Sequence, residues 1–213
     1  MLNFYAYFAA LLGSAAADQP ANLPADVQAV IDRSHQSRAD YSVFLSFEIT
    51  MGGRTHREVQ AEFQAGRRHR VEVAVANVVA DCETGDQVTY NIPLGTIEAG
   101  RDTGACGISM ASDIIVSGRM LPPITGSYGR ADVIELTGKK FVRRYAVTPD
   151  GIIVSNNYQP ISSDVDFTIR TLSSQVVRGA PDPSMFKQES IKRRFAPTTE
   201  ANSVRRVSET PRA

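Results

Sequence analysis

Few residues in this chain stand at spacings that chemistry would use. Gly107-Ile108-Ser109-Met110-Ala111 has the skeleton G-x-S-x-A of a hydrolase elbow. That elbow works at a strand-to-helix turn of a parallel α/β sheet, where the serine hydroxyl is lifted clear of the strand ends. The surrounding sequence shows no βαβ alternation, so no catalytic residue is assigned and the chain is expected not to be an enzyme. The histidines His35, His56 and His69 raise the question of zinc. His35 falls on a helix, while His56 and His69 are expected on opposite faces of neighbouring strands, so neither a metal site nor a cofactor is expected. Asp164 and Asp166 stand two apart at a strand opening, the ordinary place for solvated carboxylates. Arg143 and Arg144 point opposite ways from one strand. Arg193-Arg194 lies near the tail, where a loose contact with a membrane surface or a partner is all that such a pair implies.

Cys82 and Cys106 are the two cysteines of the chain. Their context decides their state. Phe4–Leu12 is an apolar run, Gly13-Ser14 breaks it, and Ala15-Ala16-Ala17 gives the small-x-small pattern that signal peptidase reads. The run is shorter than the roughly 20 residues a membrane-spanning helix needs. Residues 1–17 are therefore read as a signal peptide cleaved after Ala17, and the mature chain as periplasmic. In an oxidising compartment two cysteines are expected to pair as a disulfide.

The totals exclude several classes. With 42% hydrophobic and 22% charged residues, neither wholesale disorder nor a mostly membrane-embedded chain is indicated. Formal net charge is zero, so no bulk field draws nucleic acid. Charge is uneven, however: residues 187–213 hold seven basic and three acidic side chains, +4, which leaves −4 on the rest. This stretch is read as a basic, disordered tail. A monomer is expected, with peripheral membrane contact at most.

The elements that would position these residues are mostly strands. Leu23, Val27, Val30 and Ile31 share one face of a helix opened by Asn22 and Pro24 and fading near Ser37. Tyr41–Met51 alternates through Val43, Leu45, Phe47 and Ile49, Gly52-Gly53 turns the chain, and alternation resumes through Val59, Ala61 and Phe63. A three-residue loop at Ala65-Gly66-Arg67 would pair Phe63 with His69 and set Glu62 opposite Arg70 on an outer, solvated face. Further strands are read at Gln87–Ile92, Ala131–Thr137, Phe141–Thr148, Ile152–Tyr158 and Val165–Val177. Residues 109–121 are oddly apolar for a connection, with a short helix expected at Ser112–Ser117 before Pro122-Pro123. Asp182 should cap one closing turn that carries Met185 and Phe186. The expected fold is mainly β (α+β): a curled antiparallel sheet, or open half-barrel, of 8–10 strands around the N-terminal helix. Its domain is 18–186, and 109–121 serves as a lid or a core plug.

Residues 59–91 carry a family likeness: Gly66-Arg67-Arg68, then Val71–Val75, Val79-Ala80-Asp81, Gly85 and Tyr90-Asn91. With the closing Pro183-Ser184-Met185-Phe186, this order resembles the periplasmic lipoprotein carriers and outer-membrane lipoprotein receptors, the LolA-like half-barrels. The tryptophan and post-turn proline usual there are absent here, and the cysteine loop present here is not a feature of those carriers. The resemblance implies a non-enzymatic carrier or binding module for a lipid or acylated ligand. An envelope interaction or sensor module on the same scaffold, with the tail as its contact, is the alternative. The apolar groove would be lined by Phe47, Ile49, Phe63, Val71, Val73, Phe141, Tyr145, Ile152 and Phe167. Ile114, Ile115, Met120 and Leu121 would face it from the lid, and Arg67 or Arg68 would latch that lid. Partners would be acyl chains or an envelope protein.

Overall fold

The computed structural model describes residues 23–37, 39–101, 104–109, 113–162 and 167–196. The leader, Asn22, Asp164, Asp166 and the tail beyond 196 lie outside them. One helix, α1 (Ala25–Gln36), precedes eleven strands: β1 (Tyr41–Met51), β2 (Arg54–Ala65), β3 (Arg68–Val73), β4 (Ala76–Asp81), β5 (Asp86–Asn91), β6 (Thr96–Arg101), β7 (Ile115–Gly126), β8 (Gly129–Gly138), β9 (Phe141–Val147), β10 (Ile153–Pro160) and β11 (Phe167–Arg178). All join one unclosed antiparallel sheet, in the order β6-β5-β4-β3-β2-β1-β11-β10-β9-β8-β7.

That order follows from short turns and one long jump. β1 to β6 form a meander running to one edge, and β7 to β11 form a second meander returning from the opposite edge to β1. The link between β6 and β7 therefore has to join the two outer edges of a curled sheet. It crosses the hollow, and Gly104–Cys106 makes a short 3-10 turn there against β3 and β4.

The concave face is the main core. Tyr41, Val43, Leu45, Phe47 and Ile49 of β1 are all buried on it, in strict alternation with half-buried neighbours. α1 lies over β7 and β8, burying Val27, Val30 and Ile31. Arg33 fixes it to Asp132 of β8 at 2.8 Å. Gly118 of β7 sits directly below: a Cβ there would come within 2.8 Å of Leu23 Cδ2. A helix this short needs such packing to persist.

Three stretches depart from the expected elements. β4 and β6 lack a strong alternating pattern, and β6 is exposed along its whole length, so hydrophobic periodicity does not mark it. Residues 115–126 are strand rather than a helix or loop. Pro122-Pro123 is accommodated because β7 is an edge, and the pairing with β8 skips between Leu121 and Ile124 at the prolines.

The β2–β3 register also differs by one residue. Gly66-Arg67 is a two-residue turn that pairs Ala65 with Arg68, Gln64 with His69, Phe63 with Arg70, Glu62 with Val71 and Ala61 with Glu72. The expected register assumes a solvated outer face, and this face is not solvated. Residues 183–196 cross it, with Asp182 capping their first turn as expected. Phe186 and Ala196 pack on Ala61 and Phe63, so both faces of β3 and of the Ala61–Gln64 end of β2 are buried. The reading of 187–196 as tail is corrected by the same contact: Ile191 is 1% exposed.

Candidate functional site

Six strands and the crossing link enclose a cavity of about 110 Å³ on the concave face. A single ordered water needs only about 10–15 Å³, so the space is large for a protein interior. Leu45, Phe47 and Ile49 of β1 form its floor, with Val71 and Val73 of β3 on one side and Tyr145, Tyr158 and Ile169 on the other. Ala105, Gly107 and Ser109 of the crossing link form its roof.

The roof is fastened at both ends. Cys106 is joined to Cys82 at the end of β4, with the Cα atoms 5.6 Å apart. Two residues on, the Ile108 amide donates to Ser34 Oγ at 3.1 Å, and the Ile108 carbonyl lies 3.0 Å from His35 Nε2. Ile108 itself is fully buried.

Polar groups stand at opposite sides of the hollow. On the β2 side, the register puts Gln60, Glu62 and Gln64 inward. Glu62 is 7% exposed, accepts a hydrogen bond from Gln60 Nε2, and lies 3.6 Å from His69 Nε2. On the far side, Tyr145 and Tyr158 share a hydroxyl–hydroxyl hydrogen bond of 2.8 Å. Burial pushes the Tyr145 hydroxyl well above its usual range, Tyr158 adds to the rise, and the neighbouring Arg143 charge works against it. Arg143 follows the inward parity of Phe141 and Tyr145 on β9 and is fully buried.

The expected site residues divide accordingly. Phe47, Ile49, Val71, Val73 and Tyr145 line the cavity. Phe141 and Phe167 lie in the same core but pack edge-on against each other, 6.2 Å apart, rather than on the cavity. Ile152 is buried at the β9–β10 turn, where its carbonyl accepts from the Thr148 amide. Phe63 is on the opposite face, edge-on to Phe44 and Phe195 beneath the C-terminal segment.

Ile114 is 48% exposed; Ile115 is buried in the core; Met120 and Leu121 pack against that core from the edge strand β7. None of the four lines the cavity, whose cover is 105–109 instead. Arg67 binds Asp81 at 3.1 Å and Glu83 at 3.3 Å around the β2–β3 and β4–β5 turns, and it is half exposed. Arg68 is exposed at the same turn. Neither reaches the roof residues.

His56 and His69 share the inward parity, contrary to expectation, because the register is slipped. They remain far apart along β2 and β3. Among the described residues the one cluster of metal-ligand type is His69 with Cys82 and Cys106, and both of its sulfurs are engaged in the disulfide. Ser109 sits in the roof of the hollow rather than on a strand-to-helix turn, so the hydrolase skeleton has no elbow to stand on. Glu62 is the member expected on the outer face, and Gln60 and Arg143 are members to which sequence reasoning assigned no role. The inward parity of Arg143 with Phe141 and Tyr145 is the signal that finds it.

No protein-family model matches the chain. A curated relative, the proteasome-associated ATPase of Geodermatophilus obscurus, is 29% identical over 152 residues, covering 71% of this chain. The chain spans about a fifth, 22%, of that relative's length, and it contains no G-x-x-x-x-G-K-[ST] phosphate loop. Similar solved structures include an uncharacterised conserved protein from Thermus thermophilus, at 10% identity over 76% of this chain and 93% of that one (TM-score 0.48). The MucA/MucB complex of Pseudomonas aeruginosa gives 12% identity over 76% and 61% (TM-score 0.48). An outer membrane lipoprotein-sorting protein domain from Vibrio parahaemolyticus gives 9% over 78% and 98% (TM-score 0.39). These likenesses are in the path of the backbone. An open antiparallel half-barrel with a helix in its hollow, the architecture implied by the lipoprotein-carrier resemblance, is the architecture this chain has.

Proposed function

We propose that this chain is a non-enzymatic binding module of the cell envelope, and that its hollow takes the acyl chain of a lipid or acylated ligand. The observation that carries this reading is the unfilled space itself. Leu45, Phe47, Ile49, Val71 and Val73 turn apolar surface onto about 110 Å³ that no side chain occupies. Close-packed interiors leave few voids larger than a water, and apolar hollows of this kind are the default place for an apolar ligand. The leader-like N-terminus and the disulfide fit a periplasmic location. Among the described residues no helix is long and apolar enough to cross a membrane.

The test is to purify the full chain from its envelope without detergent and examine bound lipid by native mass spectrometry. Ala105→Phe, which adds a ring to the roof, should lower the lipid-bound fraction several-fold with the fold intact. Protein that carries no lipid, and gains none from phospholipid vesicles or an acylated peptide, overturns the reading.

A second reading, an envelope interaction module, is favoured by β6. Its six residues are all exposed and its outer edge is unpaired in the sheet, and such an edge can accept a strand from another chain. Proline substitution in β6 that leaves partner capture from envelope extracts unchanged counts against it.

A further inference from the structure

Arg143 is the one fully buried arginine on the concave face among the described residues, and its charge is unmatched. Its Nη1 donates to the Ser109 carbonyl at 3.2 Å, and its guanidinium carbon lies 5.2 Å from the centre of the Tyr158 ring. Both Ser109 and Tyr158 belong to the cavity wall. Nε and Nη2 have no hydrogen-bond partner, and no carboxylate among the described residues pairs with this side chain. A buried charge left this way is costly. The contrast within the molecule is direct: Arg70, equally buried, has Glu72 and a set of main-chain carbonyls.

The groups beside Arg143 are donors as well. Tyr145 and Tyr158 bond to each other through their hydroxyls, which uses one O–H and leaves the other hydrogen to give. The guanidinium nitrogens Nε and Nη2 and one phenol O–H thus lie together behind the Ser109 and Tyr158 wall at one end of the hollow, beside the Tyr145 phenol and with no carboxylate among the described residues to match the charge. The carboxylate of Glu62 lies at the other end, on β2, four strands away and about 19 Å around the sheet at about 4.8 Å per strand. The apolar floor runs between them. An anion is favoured at the β9 end and disfavoured at the β2 end, which gives a bound amphiphile one orientation.

We propose that Arg143 is a headgroup anchor, binding the single anionic group, carboxylate or phosphate, of an amphiphile whose apolar chain lies along Leu45, Phe47 and Ile49. This rests on the reading of the hollow as an apolar-ligand site and adds to it the sign and position of the ligand's polar end. A fatty acid and a phospholipid share that chemistry, and ligand series can tell them apart.

The experiment titrates the full chain with decanoate, decyl phosphate and decanol by calorimetry, using the unsubstituted protein, Arg143→Met and Arg143→Lys. Hydrogen bonds to charged groups predict at least about a tenfold preference for one of the two anions over decanol. Arg143→Met should remove that preference while still binding decanol, and Arg143→Lys should keep part of it. Preference for decanoate alone identifies a carboxylate site, and preference for decyl phosphate a phosphate site. Without ligand, Arg143→Met should melt no lower than the unsubstituted protein, because it removes an unpaired buried charge; a clearly lower melting temperature overturns the proposal by showing a structural role. Equal binding of all three ligands overturns the anchor and leaves the apolar site standing. Binding of none overturns both.

Discussion

Arg70 Nε and Glu72 Oε1 are 2.7 Å apart on β3, and both side chains are completely closed off from solvent. Each is completed by main chain from the C-terminal segment. Arg70 donates to the carbonyls of Met185, Ser190 and Arg193, while Glu72 accepts from the amides of Phe195 and Ala196. Asn77 adds a bond to the Ile191 carbonyl at 2.8 Å. Burial lowers the Arg70 guanidinium, and Glu72 opposes that shift.

Removing one member of this pair strands the other. Glu72→Ala is expected to destabilise the fold by about 3–5 kcal/mol, measured by urea denaturation, and to open residues 187–196 to limited proteolysis. A variant as stable and as protease-resistant as the unsubstituted chain would show that the strap is held by Phe186 and Ile191 alone.

The cystine closes a loop of about 25 residues, and the chain-entropy estimate gives about 3.5 kcal/mol for it. The double substitution Cys82→Ser, Cys106→Ser should lower the denaturation midpoint and raise the m-value, because the unfolded chain without the cross-link is less compact. Reduction of the unsubstituted protein should have the same effect.

Asp113 ties down the β8–β9 turn. Its carboxylate accepts from the amides of Lys139, Lys140 and Phe141, at 3.0–3.2 Å. Asp113→Ala should cost about 2 kcal/mol, the usual penalty for partly buried donors left without acceptors. Gly138→Ala should destabilise through the same contact, since a Cβ there would meet Asp113 Oδ2 at 2.0 Å. Thermal melting of both variants checks this.

Acid should loosen the β7–β9 corner. Burial raises the Glu135 carboxyl, but hydrogen bonds and charge from Arg144 and Arg119 outweigh it and hold it below the usual range. A carboxyl depressed on folding gives its full stabilisation above the unfolded value, about 4.3, and loses it as pH falls through the lower folded value. Glu135→Gln should therefore lower stability at neutral pH and flatten the acid limb of a stability–pH profile.

The sequence reading succeeds where one face of a strand is wet. β1 is found end to end because its half-buried residues are polar enough to mark the period. It fails where both faces are dry: Phe63 and Val71 belong to different layers, and nothing local says that residues 183–196 will cover the outer one. Long-range cover of this kind is invisible to a pattern of two. The cavity is partly legible for the same reason. Phe47, Ile49, Val71, Val73 and Tyr145 follow from parity and hydrophobicity, whereas the inward carboxylate of Glu62 follows only from the slipped register. The roof is misplaced because apolar content singles out 109–121, while the described cover comes from residues 105–109 of the link between the two edges.

That link has a mechanical consequence. An open shell of eleven strands has one soft deformation, a change in its radius of curvature, and nothing along its free edges resists it. The crossing link is fixed by Cys106 to β4 in one half of the shell and by Ile108 to α1, which rides on β7 and β8 in the other. It acts as a tie-rod across an arch. Cutting either fastening, the Cys82–Cys106 bond or the Ile108–Ser34 contact, should leave the two halves of the shell joined only through the sheet itself.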